Sequence, residues 1–281
     1  MKFHQAPVTF VQQVHLFVTN IERSLAFYKD VLGFQILKRE EKKVILSADE
    51  QTPLFIIEEP TQVAPRQGRT TGLYHVAFLL PTRADLAHIL VHLLHTYPLQ
   101  GASDHLVSEA LYLADPDGNG IEIYTDRHAN AWKWTNKQVH MTTQRLDAEN
   151  VLQEATSEWK GMPKGTIIGH IHLQVSDLHE AEEFYTRGLG LEVVSRYGDA
   201  AIFVSSGGYH HHIGLNTWHS AGAPAPLPNS VGLHWFSLML PNEETRTQVV
   251  TRLHEIGANI TREGDVIITT DPAGNTIHLV I

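Results

Sequence analysis

The chain has 281 residues, 42% of them hydrophobic, which is enough to build one large or two ordinary folded domains. A formal charge of −10 with no Lys/Arg cluster excludes nucleic acid as an expected partner, because such a chain repels phosphate backbones. No apolar run approaches the roughly 20 residues needed to cross a bilayer, and the opening MKFHQAPVTF lacks the parts of a secretory signal, so the expectation is a cytoplasmic chain with no membrane partner.

In chain order, Val14, Leu16 and Val18 alternate with His15 and Phe17, which predicts a half-buried strand. Thr19-x-x-Glu22 reads as a capping box, Ile21, Leu25, Tyr28 and Leu32 fall on one helical face, and Gly33 ends the helix. FQILKRE, KVILSAD and PLFIIEE follow as three short strands, so the unit is strand, helix and three strands. The same grammar predicts a strand at 73–80, a helix at 83–96, and strands near 106–113 and 120–125. A polar stretch, 128–166, reads as a linker with a short helix at 147–155. Then the first unit returns: VHLFVTNIERSLAFYKDVLGF, 14–34, is echoed by IHLQVSDLHEAEEFYTRGLGL, 171–191. GLYHVAFLLP, 72–81, is echoed by GLHWFSLMLP, 232–241, and each copy leads on to an Asp-Pro-x-Gly-Asn turn. The halves are repeats in the order A-B-A′-B′.

The expected fold is α+β, with two tandem domains, each of two paired βαβββ modules forming a curved mixed sheet around a cavity. The first domain is expected over 8–127, from modules 11–60 and 72–126. The second is expected over 167–281, from modules 167–217 and 230–281.

Alternation also assigns faces. With Ile171, Leu173 and Val175 toward the helix, His170, His172 and Gln174 point to the concave side. The same rule turns His15, His75 and Glu122 inward. A solitary inward histidine is ordinarily a satisfied core residue; three ligand types at matching places of paired repeats are a candidate metal set. Two histidines and one carboxylate suit non-haem Fe(II) or Mn(II). With no cysteine and 19 histidines in the chain, imidazole and carboxylate must carry any such chemistry. In the second half His172 matches His15 and His278 matches Glu122, but Trp235 stands where His75 would. In GGYHHHIGLNTW, alternation back from Ile213 sends His210 and His212 inward and His211 outward. His172, His212 and His278 are therefore a second candidate set, suited to Zn, Fe or Cu.

The four-unit pattern, FYxxxLGF, GLYHVAFLLP, DHLVSEALYLADPDGNGIEIY and GGYHHHIGLNTW together resemble the vicinal oxygen chelate superfamily (glyoxalase, bleomycin resistance, extradiol dioxygenase), and within it the catechol 2,3-dioxygenase-like branch. The resemblance spans nearly the whole chain and is more specific for the fold than for the reaction. It implies a metal held by a His on the first strand of one unit, a His on the first strand of its partner, and a Glu on the partner's last strand, assigned here to His15, His75 and Glu122. It implies that Tyr112, ten residues before Glu122, and His105 hydrogen-bond the substrate, and that His212 matches the active-site base. The activity implied is extradiol cleavage of a small aromatic diol by dioxygen with Fe(II), with Mn(II) or Zn(II) as other ions. A metal-dependent lyase or isomerase of the glyoxalase kind, and a protein that only sequesters a small ligand, are the competing readings. Exposed sheet edges are compatible with a homodimer.

Overall fold

The computed structural model describes residues 2–281, and the strand, helix, three-strand grammar occurs in it four times. The first unit is β1 (Phe10–Phe17), α1 (Ile21–Ala26), β2 (Gln35–Arg39), β3 (Lys43–Ser47) and β4 (Phe55–Glu58). The second is β5 (Gly72–Leu79), α2 (Arg83–Thr96), β6 (Gly101–Asp104), β7 (Ser108–Ala114) and β8 (Gly120–Asp126). The segment between the halves holds β9 (Trp134–Thr135), β10 (Gln138–Val139), β11 (Gln144–Arg145) and α3 (Ala148–Leu152). The third unit is β12 (Ile167–Gln174), α4 (Leu178–Glu183), β13 (Glu192–Tyr197), β14 (Ala201–Ser205) and β15 (Ile213–Asn216). The fourth is β16 (Gly232–Met239), α5 (Glu243–Glu255), β17 (Ile260–Glu263), β18 (Val266–Thr270) and β19 (Thr276–Val280). No described helix is long and apolar enough to cross a membrane.

Local chemistry explains the helix ends. The cap of α1 is Asn20, whose side chain accepts from the Arg23 amide at 2.8 Å, and not Thr19, whose amide donates to Asp117 at 3.1 Å instead. A full capping box forms at α2, where Thr82 and Asp85 satisfy each other's amides. The two repeated motifs are tied together. Asp115 accepts from the Asp117 and Asn119 amides at 2.9 and 2.8 Å and from the Tyr28 hydroxyl at 2.9 Å. Asp271 repeats this with Ala273, Asn275 and Tyr185. The Phe-Tyr pair of one unit therefore clamps the Asp-Pro-x-Gly-Asn turn of the next.

The units pair differently from the expectation. One sheet runs β17-β18-β19-β16-β1-β4-β3-β2, and the other runs β11-β6-β7-β8-β5-β12-β15-β14-β13. The first module joins the fourth and the second joins the third, through antiparallel β1·β16 and β5·β12 contacts. Two curved sheets are present, but the expected domains 8–127 and 167–281 do not each close a sheet of their own. The reason is physical: alternation fixes which face of a strand is buried, and both pairings bury the same faces. The helix-side faces of both sheets share one core that includes Leu16, Phe55, Phe78, Ile171 and Phe236.

Bulges aim the concave side chains. Between His172/Leu173 of β12 and the opposing His75/Leu73 the register slips by one, so Tyr74 is the extra residue and lines the same cavity as His75. A second slip, between Ile168 and His170, isolates Gly169. A Cβ built there would collide with the Tyr124 hydroxyl and lie 2.8 Å from Leu79 Cβ. Tyr124 cannot yield, being fully buried and hydrogen-bonded to Tyr209 at 2.7 Å. Gly169→Ala is expected to lower the urea unfolding free energy by about 1–3 kcal/mol through overpacking; an unchanged midpoint would remove this account of the bulge.

The segment 128–146, read from sequence as part of a linker, is a wall. It packs Trp132, Val139 and Met141 onto Val107, Phe203 and Tyr209 across the concave face, and β11 adds the edge strand beside β6. The amino-terminal arm joins it: Phe3 stacks on Trp132, and His4 Nε2 donates to the Gly169 carbonyl at 2.9 Å. Burial holds the His4 imidazole down to about 4, against upward pulls from the Gly169 carbonyl and Asp126. The unfolded chain takes up this proton near pH 6.5 and the folded chain only near 4. The contribution of this neutral imidazole is complete above the higher value and is lost as pH falls toward the lower, a difference of about 3 kcal/mol. His4→Gln should flatten the pH dependence of the urea midpoint across that window by about one proton, and an unaltered slope would refute the buried neutral histidine.

Candidate active site

One row of side chains crosses the nine-stranded sheet. His170 on β12 faces Ala77 on β5, Ala77 faces Glu122 on β8, and Glu122 faces Tyr112 on β7. Paired residues share a face, and the small Ala77 lets the longer side chains on either side of it converge. His170 Nε2 lies 3.2 Å from Glu122 Oε2, and His75 Nε2 lies 2.9 Å from the same oxygen. All three residues are buried, and one ligand atom from each falls within 4.8 Å of the others.

The electrostatics favour a cation at this point. Burial works against the Glu122 charge, but His170 and His75 outweigh it and hold the carboxyl well below its ordinary range. Burial pushes the His170 imidazole down to about 4, with Glu122 pulling the other way. The result is an ionised carboxylate beside a His170 imidazole that burial keeps neutral, the protonation a divalent metal requires of those two groups. His75 Nε2 makes no well-directed hydrogen bond despite its closeness to Glu122, and His170 Nδ1 has no partner. Buried polar atoms left in this state fit metal ligation better than a self-contained network. Among the described residues no other trio of ligating side chains meets so closely.

Around the trio is a cavity of about 430 Å³. On one side, the DPxGN hairpin between β7 and β8 places Tyr112 directly opposite Glu122. His105 Nδ1 donates to the Thr142 carbonyl at 2.8 Å, which leaves Nε2 to accept the Tyr112 hydroxyl proton at 2.6 Å. Burial, reinforced by Glu122, raises the Tyr112 phenol well above its ordinary range. On the other side, His211 packs its ring 4.1 Å from that of His170, centroid to centroid. His172, held by the Asn216 side chain at 3.0 Å, also faces in. Tyr74, Tyr197, Phe203, Trp218 and Met141 make the remaining wall mainly aromatic. A larger cavity, about 680 Å³, opens where the two sheets meet, but its lining has Arg66 and Arg69 and no carboxylate.

The family model described as "Glyoxalase/Bleomycin resistance protein/Dioxygenase superfamily" matches residues 10–123 and 167–279. The chain belongs to that superfamily. It is 45% identical over 278 residues to the catechol-2,3-dioxygenase of Bacillus subtilis (strain 168), covering 97% of this chain and 98% of that one. Among solved structures it shares the fold of maize (Zea mays) glyoxalase I, with a TM-score of 0.57 at 16% identity, covering 97% of this chain and 92% of the other. The cppA protein of Streptococcus pneumoniae TIGR4 is similar at a TM-score of 0.56 and 12% identity, with coverage of 97% and 99%. The two segments matched to the superfamily leave out the intervening wall, which adds Met141 and Thr143 to the cavity.

The strand positions that the resemblance implied, a His on the first strand of one unit with a His on the first strand and a Glu on the last strand of its partner, are occupied in the paired second and third units by His170, His75 and Glu122. Of the sequence-derived set, His75 and Glu122 come together with Tyr112 and His105, and His15 does not. His15 lies on β1 in the eight-stranded sheet, 3.2 Å from Glu58 and against Trp235. His170, which takes the place expected for His15, was visible in the sequence as a concave histidine two residues before His172. The second candidate set is not assembled either. His278 is in the eight-stranded sheet, stacked on Trp235 at 4.2 Å, while His172 is in the other and His212 lies in the loop that leads into it. There the row is Gln13, Ser237 and His278, so each ligand of the first row has a different residue in its place. His212 is not in the cavity; its ring bonds Ser205 and the Phe3 carbonyl at 3.1 and 2.9 Å. Alternation fails there because β15 starts only at Ile213, and the preceding loop turns through Gly207 and Gly208 at φ of 64° and 74°. That loop sends His211 inward instead.

Proposed function

We propose that this chain is a metal-dependent extradiol dioxygenase that opens the ring of a small catechol-type diol with dioxygen. The observation that carries the reading is the convergence, in one aromatic-walled cavity, of a His75–Glu122–His170 set with Tyr112 and His105 on one flank and His211 on the other. Likeness over nearly the full length to a catechol-2,3-dioxygenase supports the same substrate class. His75, His170 and Glu122 would hold the ion, for which iron(II) is proposed; the donor set also accepts manganese(II) and zinc(II). When bound, a divalent ion there supplies a Lewis-acid anchor for two adjacent substrate oxygens and, if redox-active, a route for electrons toward dioxygen.

The protein groups divide the proton work. Tyr112 donates its hydroxyl hydrogen bond to His105, so its oxygen lone pairs remain to accept a hydrogen bond from a substrate hydroxyl. Its phenol stays protonated across the working pH range, because burial and Glu122 both oppose phenolate. His211, neutral and facing the cavity, is the group placed to take a proton from the diol and return it later. Tyr197, Phe203 and Trp218 present ring faces and edges to an aromatic substrate and restrict the access of water.

The test is to load the purified protein anaerobically with iron(II), manganese(II) or zinc(II), then add a panel of catechols and air. Oxygen uptake matched to the appearance of a yellow ring-fission product is the expected result. A loaded protein that leaves the whole panel untouched and consumes no oxygen overturns the proposal, and product formation without oxygen uptake moves the chain to lyase or isomerase chemistry.

A further inference from the structure

A second chain of polar groups runs into the cavity from the side opposite Tyr112. Asp126 ends β8, four residues beyond Glu122. Its Oδ1 accepts from His210 Nε2 at 2.8 Å and from the Tyr209 hydroxyl at 3.2 Å. His210 Nδ1 lies 2.9 Å from His211 Nδ1. His210 is fully buried, with its ring 4.0 Å from that of Tyr209 and 5.1 Å from that of Trp132, so it has no room to swing. His211 in turn lies against His170 and lines the cavity.

The donors and acceptors along this line can be assigned. An ionised carboxylate only accepts, so His210 carries its proton on Nε2. A neutral His210 then has a lone pair on Nδ1, and the short contact to His211 Nδ1 is a hydrogen bond only if His211 is the donor. His211 is left with an unprotonated Nε2. We infer that Asp126 and His210 are positioning residues that fix His211 as its Nδ1–H tautomer, so that the Nε2 lone pair is the proton acceptor in the cavity. The catalytic use of that lone pair, though not the tautomer itself, rests on the acid–base role given to His211 above. It gives Asp126 a function beyond joining β8 to the 206–212 loop, and it gives the His-His-His run a division of labour: His212 anchors the amino-terminal arm, His210 relays, His211 faces substrate.

The tautomer is measurable without metal or turnover. In metal-free protein labelled with 15N-histidine, at about pH 8, above the ordinary histidine range, the two-bond 15N–1H pattern of His211 is identified by its loss in His211→Gln. The wild-type protein should show Nδ1 protonated and Nε2 bare, and His210→Phe and Asp126→Leu should each lose that preference. After metal loading, both variants should lose about 10- to 100-fold in kcat, the usual cost of removing an outer orienting partner, with KM and metal content little changed. Asp126→Asn, whose amide oxygen can still accept from His210, should recover most of the loss. A wild-type His211 protonated on Nε2 overturns the inference, whatever the variants do, and so does a tautomer unmoved in both. A protein that ignores catechols but shows the bare Nε2 sinks the proposed reaction and leaves this assignment standing.

Discussion

Glu122→Gln is expected to abolish tight divalent-metal binding and to lower ring-cleaving activity by more than about 1,000-fold, because it removes the only anionic donor of the set. The change is nearly isosteric, so the fold should persist. His75→Ala and His170→Ala should behave in the same way, since each supplies one of the three atoms that meet within 4.8 Å. His15→Ala and His278→Ala are the informative controls. Both histidines were candidates on sequence grounds, and both belong to the other sheet. Metal content after anaerobic loading and desalting, measured by plasma mass spectrometry alongside oxygen uptake, decides the matter. Retention of the ion by Glu122→Gln, or its loss in His15→Ala, would dismantle the site described above.

The contrast between His15 and His170 shows what a single chain can disclose. That both imidazoles point to a concave face follows from the aliphatic residues between them and the helix, a local fact carried by alternation. Which sheet either belongs to is a long-range fact. A and A′ have the same periodicity, as do B and B′, so the second module can pair with the first or the third without exposing any apolar face. Only contacts such as β5 against β12 decide it, and no local pattern reports them. Tyr112 and His105 were legible only through the family resemblance, and the ten-residue spacing from Tyr112 to Glu122 carries over because the tight turn between β7 and β8 sets the two residues opposite each other. Tyr74 and His211 were not legible as cavity residues, each for a local reason. A bulge breaks the two-residue period at Tyr74, and His211 precedes the strand from which its direction was extrapolated. The function-bearing departures from regularity are thus the bulges at Gly169 and Tyr74 and the Gly207–Gly208 turn, where the backbone leaves the pattern that makes strands readable.

Adjacent histidines provide the sharper test of that reading. His211→Gln is expected to lower kcat by about 100- to 10,000-fold, the range for loss of a positioned general base, while bound metal and KM stay near wild type because the three ligands and the aromatic wall remain. His212→Gln should leave kcat within about threefold, since its ring is turned to Ser205 and the Phe3 carbonyl and away from substrate. Its cost should appear in stability: the amino-terminal arm loses one of its fastenings, a hydrogen bond with a net worth of about 1 kcal/mol. Steady-state kinetics at saturating dioxygen, together with urea melts of both variants, separate the two roles. If His212→Gln proves to be the slow enzyme and His211→Gln the merely unstable one, the proton acceptor is the residue that strand alternation indicates, and the 206–212 loop must be turned over during turnover.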